Sequence, residues 1–190
     1  MLFGKYLRGF CFLATGFFVA ASGQGQVVPA ARGGGQSLWL GGEFSSMYAG
    51  FPQGSDLRFS SLGVYGVFNW NHHLGLEGES RFLQFNGYQG ETEKDLLIGP
   101  RYTFFNNPKW RPYATLQLGG ARIKYPFGIG VQDFFAIAPG AGVEYRLNYR
   151  WSIRGEYQYQ ILPGSPNFTN EPAYGINPNG FRVGISFRLP

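Results

Sequence analysis

Residue types that most often carry acid–base or metal chemistry are scarce in this chain. Its two histidines, His72 and His73, are adjacent. Histidine can act as a general base or as a metal ligand, but an adjacent pair in a short polar stretch is typical of a turn. We therefore predict no catalytic residue, no cofactor and no metal site, and we do not expect an enzyme.

A second candidate is the acidic stretch at residues 86–95, which contains Glu91, Glu93 and Asp95. Carboxylate oxygens are ligands that divalent cations such as calcium prefer. Acidic residues in a polar connection are more often simply solvated. The sequence therefore favours exposed loop charge over a cation site.

Arginine and glutamate recur at alternate positions, on one side of the predicted strands. These residues are Glu43, Glu77, Glu79, Arg81, Arg101, Glu144, Arg146, Arg154, Glu156, Arg182 and Arg188. Arginine forms planar, bidentate pairs with carboxylates and tolerates burial better than lysine. Because an unpaired charge in a low-dielectric interior is costly, the pattern predicts a structural network of ion pairs inside the fold.

The elements that would position these charges are strands. Alternation of apolar and polar residues dominates after residue 36, and no stretch has helical periodicity. The predicted strands are residues 37–48, 59–70, 74–85, 95–105, 111–123, 134–146, 151–161 and 181–189.

The connections between these strands alternate in length. Those at 71–73, 106–109 and 147–150 are short, and those at 49–58, 86–94, 124–133 and 162–180 are longer. An even strand number with short turns at one end and long loops at the other is typical of outer-membrane barrels. We therefore predict an all-β fold, an eight-stranded antiparallel up-and-down transmembrane β-barrel with short periplasmic turns and longer extracellular loops.

The polar side of the strands is expected to face the barrel interior. A soluble lipocalin-like barrel would have the same alternation with the faces exchanged. Here the polar side carries glycines, which weaken a strand but fit a narrow lumen. The other side is apolar, includes Leu118, and carries aromatic residues near both strand ends, as at the two membrane interfaces. Trp39 falls on the polar side and departs from the pattern.

The N-terminus has the layout of a cleavable signal peptide, predicted for residues 1–23. Lys5 and Arg8 precede an apolar run at 10–20, about half the roughly 20 residues that a spanning helix needs. Residues 24–36 are predicted to be a flexible leader and residues 37–190 the barrel. The single cysteine, Cys11, lies in the signal segment, so no disulfide is expected.

Composition agrees with a membrane barrel. Charged residues make up 14% and aromatic residues 18% of the chain, whereas soluble domains are about a quarter charged. The mean hydropathy of −0.17 argues against a bundle of transmembrane helices. The net charge is +5, but the sequence contains no dense cluster of Lys and Arg. We therefore predict no nucleic-acid partner.

Four segments resemble the OmpA-like superfamily of eight-stranded outer-membrane barrels. They are LIGPRYTF at 97–104, PYATLQLGGA at 112–121, GAGVEYRL at 140–147 and WSIRGEY at 151–157. The resemblance implies the cell outer membrane of a Gram-negative bacterium, with contact to outer-membrane lipid. It also implies passage by periplasmic chaperones and the barrel-assembly machinery. Arg182, Gly184, Phe187 and Leu189 resemble the family's C-terminal assembly signal.

An eight-stranded barrel is just wide enough to be filled by its own side chains. We therefore expect a plugged polar lumen in a non-enzymatic membrane scaffold whose extracellular loops serve surface or partner interaction, with the partner unidentified. A narrow passive pore is the main alternative. A lipid A-modifying enzyme is a further one, but such barrels use a histidine near the outer rim, and His72 and His73 fall in a predicted periplasmic turn.

Overall fold

A computed structural model describes residues 36–50, 56–85, 92–105, 107–124, 130–164 and 177–190. They belong to one compact unit, Gly34–Pro190. The predicted signal peptide, nearly all of the leader, Glu91 and the middle parts of the four longer predicted loops lie outside the described residues. No helix in the described part is long and apolar enough to cross a membrane.

Eight strands form the fold. They are β1 (Ser37–Gly50), β2 (Asp56–Asn69), β3 (Leu74–Phe85), β4 (Thr92–Thr103), β5 (Trp110–Lys124), β6 (Val131–Arg146), β7 (Trp151–Tyr159) and β8 (Asn179–Arg188). Each strand pairs antiparallel with the next, and β1 pairs with β8 to close the barrel. Closure removes every unpaired strand edge, and it confirms the predicted eight-stranded antiparallel fold.

The alternation read from the sequence places side chains on opposite faces of the barrel wall. In β7, Arg154 and Glu156 are buried inside, whereas Ile153 and Tyr157 are exposed outside. The same phase holds across the sheet, because Arg154 lies opposite Gly184 of β8 and Glu144 of β6. The polar side of the strands therefore lines the lumen.

Between the two ends of the barrel, the outer face is an apolar surface. Leu62, Leu118 and Val183 are 69%, 43% and 57% exposed. Aromatic pairs lie near both ends, with the Trp151 and Phe187 rings 5.1 Å apart at one and the Tyr157 and Phe181 rings 5.0 Å apart at the other. Apolar exposure on this scale is incompatible with water and fits acyl chains flanked by aromatic girdles.

Two ends of the barrel can be distinguished by their connections. The turn end carries the connections at 70–73, 104–109 and 147–150, and the loop end carries those at 51–55, 86–91, 125–130 and 160–178. Three of the longer connections are shorter than predicted, because strand pairing continues to Gly50–Asp56 and Lys124–Val131. Polar residues at the loop end masked these strand extensions in the sequence.

Candidate functional site: a charged lumen

Buried arginines and carboxylates fill the middle of the barrel. We call this set the lumen network; its members are Glu43, Glu77, Glu79, Arg81, Asp95, Arg101, Glu144, Arg154, Glu156 and Arg182. Each comes from the inward phase of its strand, and every one of the eight strands except β2 and β5 contributes at least one member. The contacts therefore tie together strands that are distant in sequence.

Arg154 of β7 joins two carboxylates from other strands. Its guanidinium donates to Glu77 Oε1 at 2.6 Å and to Glu43 Oε2 at 2.6 Å. The same group stacks 3.4 Å from the centroid of the Tyr65 ring. Charge-assisted bonds combined with a cation–π contact make this a strongly held arginine.

Arg101 of β4 repeats this arrangement one step closer to the turn end. It donates to Glu77 Oε2 at 3.1 Å and to Glu144 Oε2 at 2.6 Å. Its guanidinium lies 3.6 Å from the Tyr113 ring centroid. Glu77 therefore holds one oxygen toward each of two arginines, Arg101 and Arg154.

Arg182 of β8 contacts four carboxylates of the lumen network. It donates to Glu79 and to Glu156, and its guanidinium lies 3.6 Å from oxygens of both Glu43 and Glu77. The phenolic group of Tyr113 donates to Glu156 Oε2 at 2.7 Å.

Toward the loop end, Arg81 of β3 takes the same role. It donates to Asp95 Oδ2 at 2.9 Å and to Gln160 Oε1 at 2.8 Å, and its Nε lies 3.2 Å from Glu79 Oε1. Glu93 is buried beside them and accepts from Gln160 Nε2 at 3.3 Å. The expectation of solvated loop charge at Glu93 and Asp95 is therefore wrong, because β4 begins at Thr92 and turns both carboxyls inward.

The turn end of the lumen is richer in cations. Arg146, a predicted network residue, is partly exposed and its Nε lies 3.7 Å from Glu144 Oε1. Arg188 is half-buried at the end of β8, and the described part of the chain does not bring it into an ion pair. Arg111, which the sequence reading missed, is buried, lies 3.7 Å from Glu144 and donates to the carbonyl of His72 at 3.1 Å. Arg111 alternates in step with the inward residues Tyr113 and Gln117, and this pattern could have identified it.

Buried apolar residues pack beside the Arg81 contacts at the loop end of the lumen, and the sequence did not predict this cluster. They are Met47, Leu83, Leu97, Ala121, Ile123, Phe134, Ala136, Ala138 and Leu162. Leu162 lies beyond β7, in a segment predicted as loop, and is completely buried. At the turn end Trp39 is buried with Tyr65 and Val67, which accounts for an indole on the inward side.

The histidine pair lies at the turn end. His73 Nδ1 is 2.8 Å from the Thr103 carbonyl, and its backbone N–H donates to Asn71 Oδ1 at 2.8 Å. These are contacts of a structured turn. Among the described residues no group of three or more His, Cys, Asp or Glu side chains is arranged to hold a metal ion.

Gly140 of β6 leaves space in the lumen for the Glu156 carboxylate. A Cβ added there would collide with Glu156 Oε1 and lie 2.8 Å from Thr115 Oγ1. We expect Gly140→Val to lower the free energy of unfolding by about 1–3 kcal/mol through overpacking. Gly155→Val is the matched control, since an added Cβ on the outer face meets nothing within 4 Å. Denaturant titration in lipid vesicles measures both, and equal losses would contradict the crowded-lumen description.

Comparisons with known proteins agree with this geometry. A family model described as outer membrane protein beta-barrel domain matches residues 10–188. Neisserial surface protein A has a similar structure, with a TM-score of 0.64 and 13% identity over 82% of this chain and 99% of that chain. Ail, the attachment invasion locus protein of Yersinia pestis, gives 0.53 and 16% over 82% and 99%. The N-terminal β-barrel domain of Pseudomonas aeruginosa OprF gives 0.51 and 14% over 82% and 100%. A search of curated protein sequences gives no match.

Proposed function

The chain belongs to the outer membrane protein β-barrel domain family, and from this premise we propose that it is a non-enzymatic scaffold with a plugged polar lumen. The protein is located in the cell outer membrane. In the proposed role it presents extracellular loops for surface or partner interaction, and the loop end faces the cell exterior.

The observation that carries the plugged lumen is the reach of Arg154 and Arg182 across the barrel. Between them they contact Glu43, Glu77, Glu79 and Glu156, which come from β1, β3 and β7. All of these side chains are at most 2% exposed. Breaking such pairs to admit an ion would leave charges unpaired in a low-dielectric shell, which costs several kcal/mol.

The apolar cluster at the loop end supports the same function. Leu83 and Leu97 lie opposite Glu93 and Glu79 in the strand register, so the cluster packs around the loop-end part of the lumen network and fills the space beside it. Narrow hydrophobic constrictions oppose conduction by excluding water. The lumen thus combines ion pairs with apolar packing at the loop end, leaving the outer surface and the loops for interaction.

Planar-bilayer recording tests this proposal against the narrow-pore alternative. The cation-rich turn end, with Arg111, Arg146 and Arg188, is the feature that would favour a pore, one selective for anions. We expect no steady channel events from the folded protein under conditions in which a reference porin conducts. Reproducible single-channel steps, especially with anion selectivity, would overturn the plugged scaffold and favour the pore.

A further inference from the structure

On the outer face of the barrel, the charged strand side chains that the structure describes lie at the loop end. Among the outward strand side chains that the structure describes, the cations are Arg58, Lys94, Arg122 and Lys124, and the carboxylate is Asp133. The other outward strand positions that the structure describes are apolar or uncharged. This distribution places the outward charges at the membrane interface on the loop side of the barrel.

Three of these cations lie together on neighbouring strands. Lys94 of β4 is directly opposite Arg122 of β5, and Lys124 follows two residues later on the same face. Residues directly opposite in an antiparallel pair have Cβ atoms about 4.5–5.5 Å apart, and like charges there are destabilising. We call Lys94, Arg122 and Lys124 the β4–β5 basic patch.

The described surroundings neutralise only part of this charge. Asp133 of β6 accepts two hydrogen bonds from Arg122, at 2.6 and 2.9 Å. The ammonium of Lys94 lies 5.8 Å from the Phe82 ring centroid. Three cations therefore face one carboxylate among the described residues, on the side of the wall that faces lipid.

The position of the patch relative to the lipid headgroups indicates which ligand it binds. Phe82 and Phe135, both outward and more than half exposed, lie on the strands that flank it, as aromatic residues do at the headgroup level. Headgroups at that level carry phosphate, which lysine and arginine bind through charge-assisted hydrogen bonds. Asp133 holds Arg122 in place and leaves the two lysines to meet the ligand.

We propose that the β4–β5 basic patch binds phosphate groups of lipid headgroups in the outer leaflet. The site goes beyond the scaffold role, and it rests on the orientation in which the loop end faces outward. The bound phosphate neutralises charge on Lys94 and Lys124 and anchors one side of the barrel to particular lipids.

Binding of bis-phosphorylated lipid A to the folded protein in zwitterionic detergent tests the proposal. Each cation near an anionic lipid surface contributes about a fivefold gain in affinity. We therefore expect Lys94→Gln with Lys124→Gln to weaken binding by roughly 30-fold. The matched control is Arg58→Gln, which removes an outward cation on β2, away from the patch, and should change affinity less than twofold. Unchanged heat-modifiable gel migration verifies that each variant is folded.

Two further ligands separate the possible sources of the phosphate. Dephosphorylated lipid A should bind at least tenfold more weakly than the bis-phosphorylated form, and inorganic phosphate at equal concentration should not compete. Equal binding of both lipid forms, or no loss in the double lysine variant, would overturn the phosphate site. Full competition by inorganic phosphate would overturn the assignment to a lipid. None of these outcomes depends on whether the lumen conducts, so the two proposals fail separately.

Discussion

Replacing Arg154 with glutamine should lower the free energy of unfolding by about 3–5 kcal/mol. The guanidinium bonds Glu43 and Glu77 at 2.6 Å each, and its side chain is only 2% exposed. Its loss leaves both carboxylates short of a cation inside the barrel, where neither can regain water. Equilibrium unfolding by urea in lipid vesicles measures the change.

A second variant distinguishes a stranded charge from lost packing. Glu43 has Arg154 at 2.6 Å and Arg182 only at 3.6 Å, whereas Glu77 keeps Arg101 at 3.1 Å. Arg154→Gln combined with Glu43→Gln removes one charge of each sign. We expect the double variant to be more stable than Arg154→Gln alone, with a coupling energy within the range of about 0.5–3 kcal/mol seen for contacting residues. Additive losses would indicate a hydrated, channel-like lumen.

Arginine in place of Leu118 should cost about 2–4 kcal/mol. Leu118 lies near the middle of β5, opposite Ile98 and Ile137, and is 43% exposed on the outer face. A guanidinium there must enter the hydrocarbon or distort the bilayer to reach water. Unfolding in vesicles, monitored by heat-modifiable migration and tryptophan fluorescence, gives the free energy.

The same substitution at a strand end is the control for Leu118. Leu38, near the turn end of β1, is also outward and 39% exposed. Near an interface an arginine costs only about 0–1 kcal/mol, so Leu38→Arg should be close to neutral. A neutral effect at Leu118 as well would mean that this face does not meet acyl chains.

The barrel was predictable because one periodicity runs through nearly the whole chain. In β7 strict alternation places Arg154 and Glu156 on one face, and the glycines that recur on this face across the strands identify it as the inward one. The ends of strands were harder, since the fourth strand was predicted to begin only at residue 95. The inward burial of Glu93 and Asp95 follows from pairing of β4 with β3 and β5. Backbone hydrogen bonding extended these strands where side-chain polarity argued for a loop.

The partners within the lumen could not be derived from periodicity. Arg154 and Glu77 are 77 residues apart, and Arg154 and Glu43 are 111 apart. Their meeting depends on strand register and barrel closure, which no local pattern encodes. The apolar cluster at the loop end was missed for a related reason. An inward leucine such as Leu97 alternates in step with the charged inward residues of its strand, so by itself it resembles an exception to the polar pattern. The signal peptide and the assembly signal at Gly184, Phe187 and Leu189 stay predictions.

Oxygen accessibility of spin labels at three consecutive residues of β1 is the most direct test of which face meets lipid. Phe44 and Ser46 point outward, and Ser45 is fully buried inside. Each position is changed to cysteine in a chain without Cys11 and labelled after reconstitution in vesicles. Labels at 44 and 46 should be readily accessible to oxygen dissolved in the bilayer, and the label at 45 should be shielded. Accessibility that is highest at 45, or equal at all three positions, would contradict a charged lumen enclosed by a lipid-facing apolar wall.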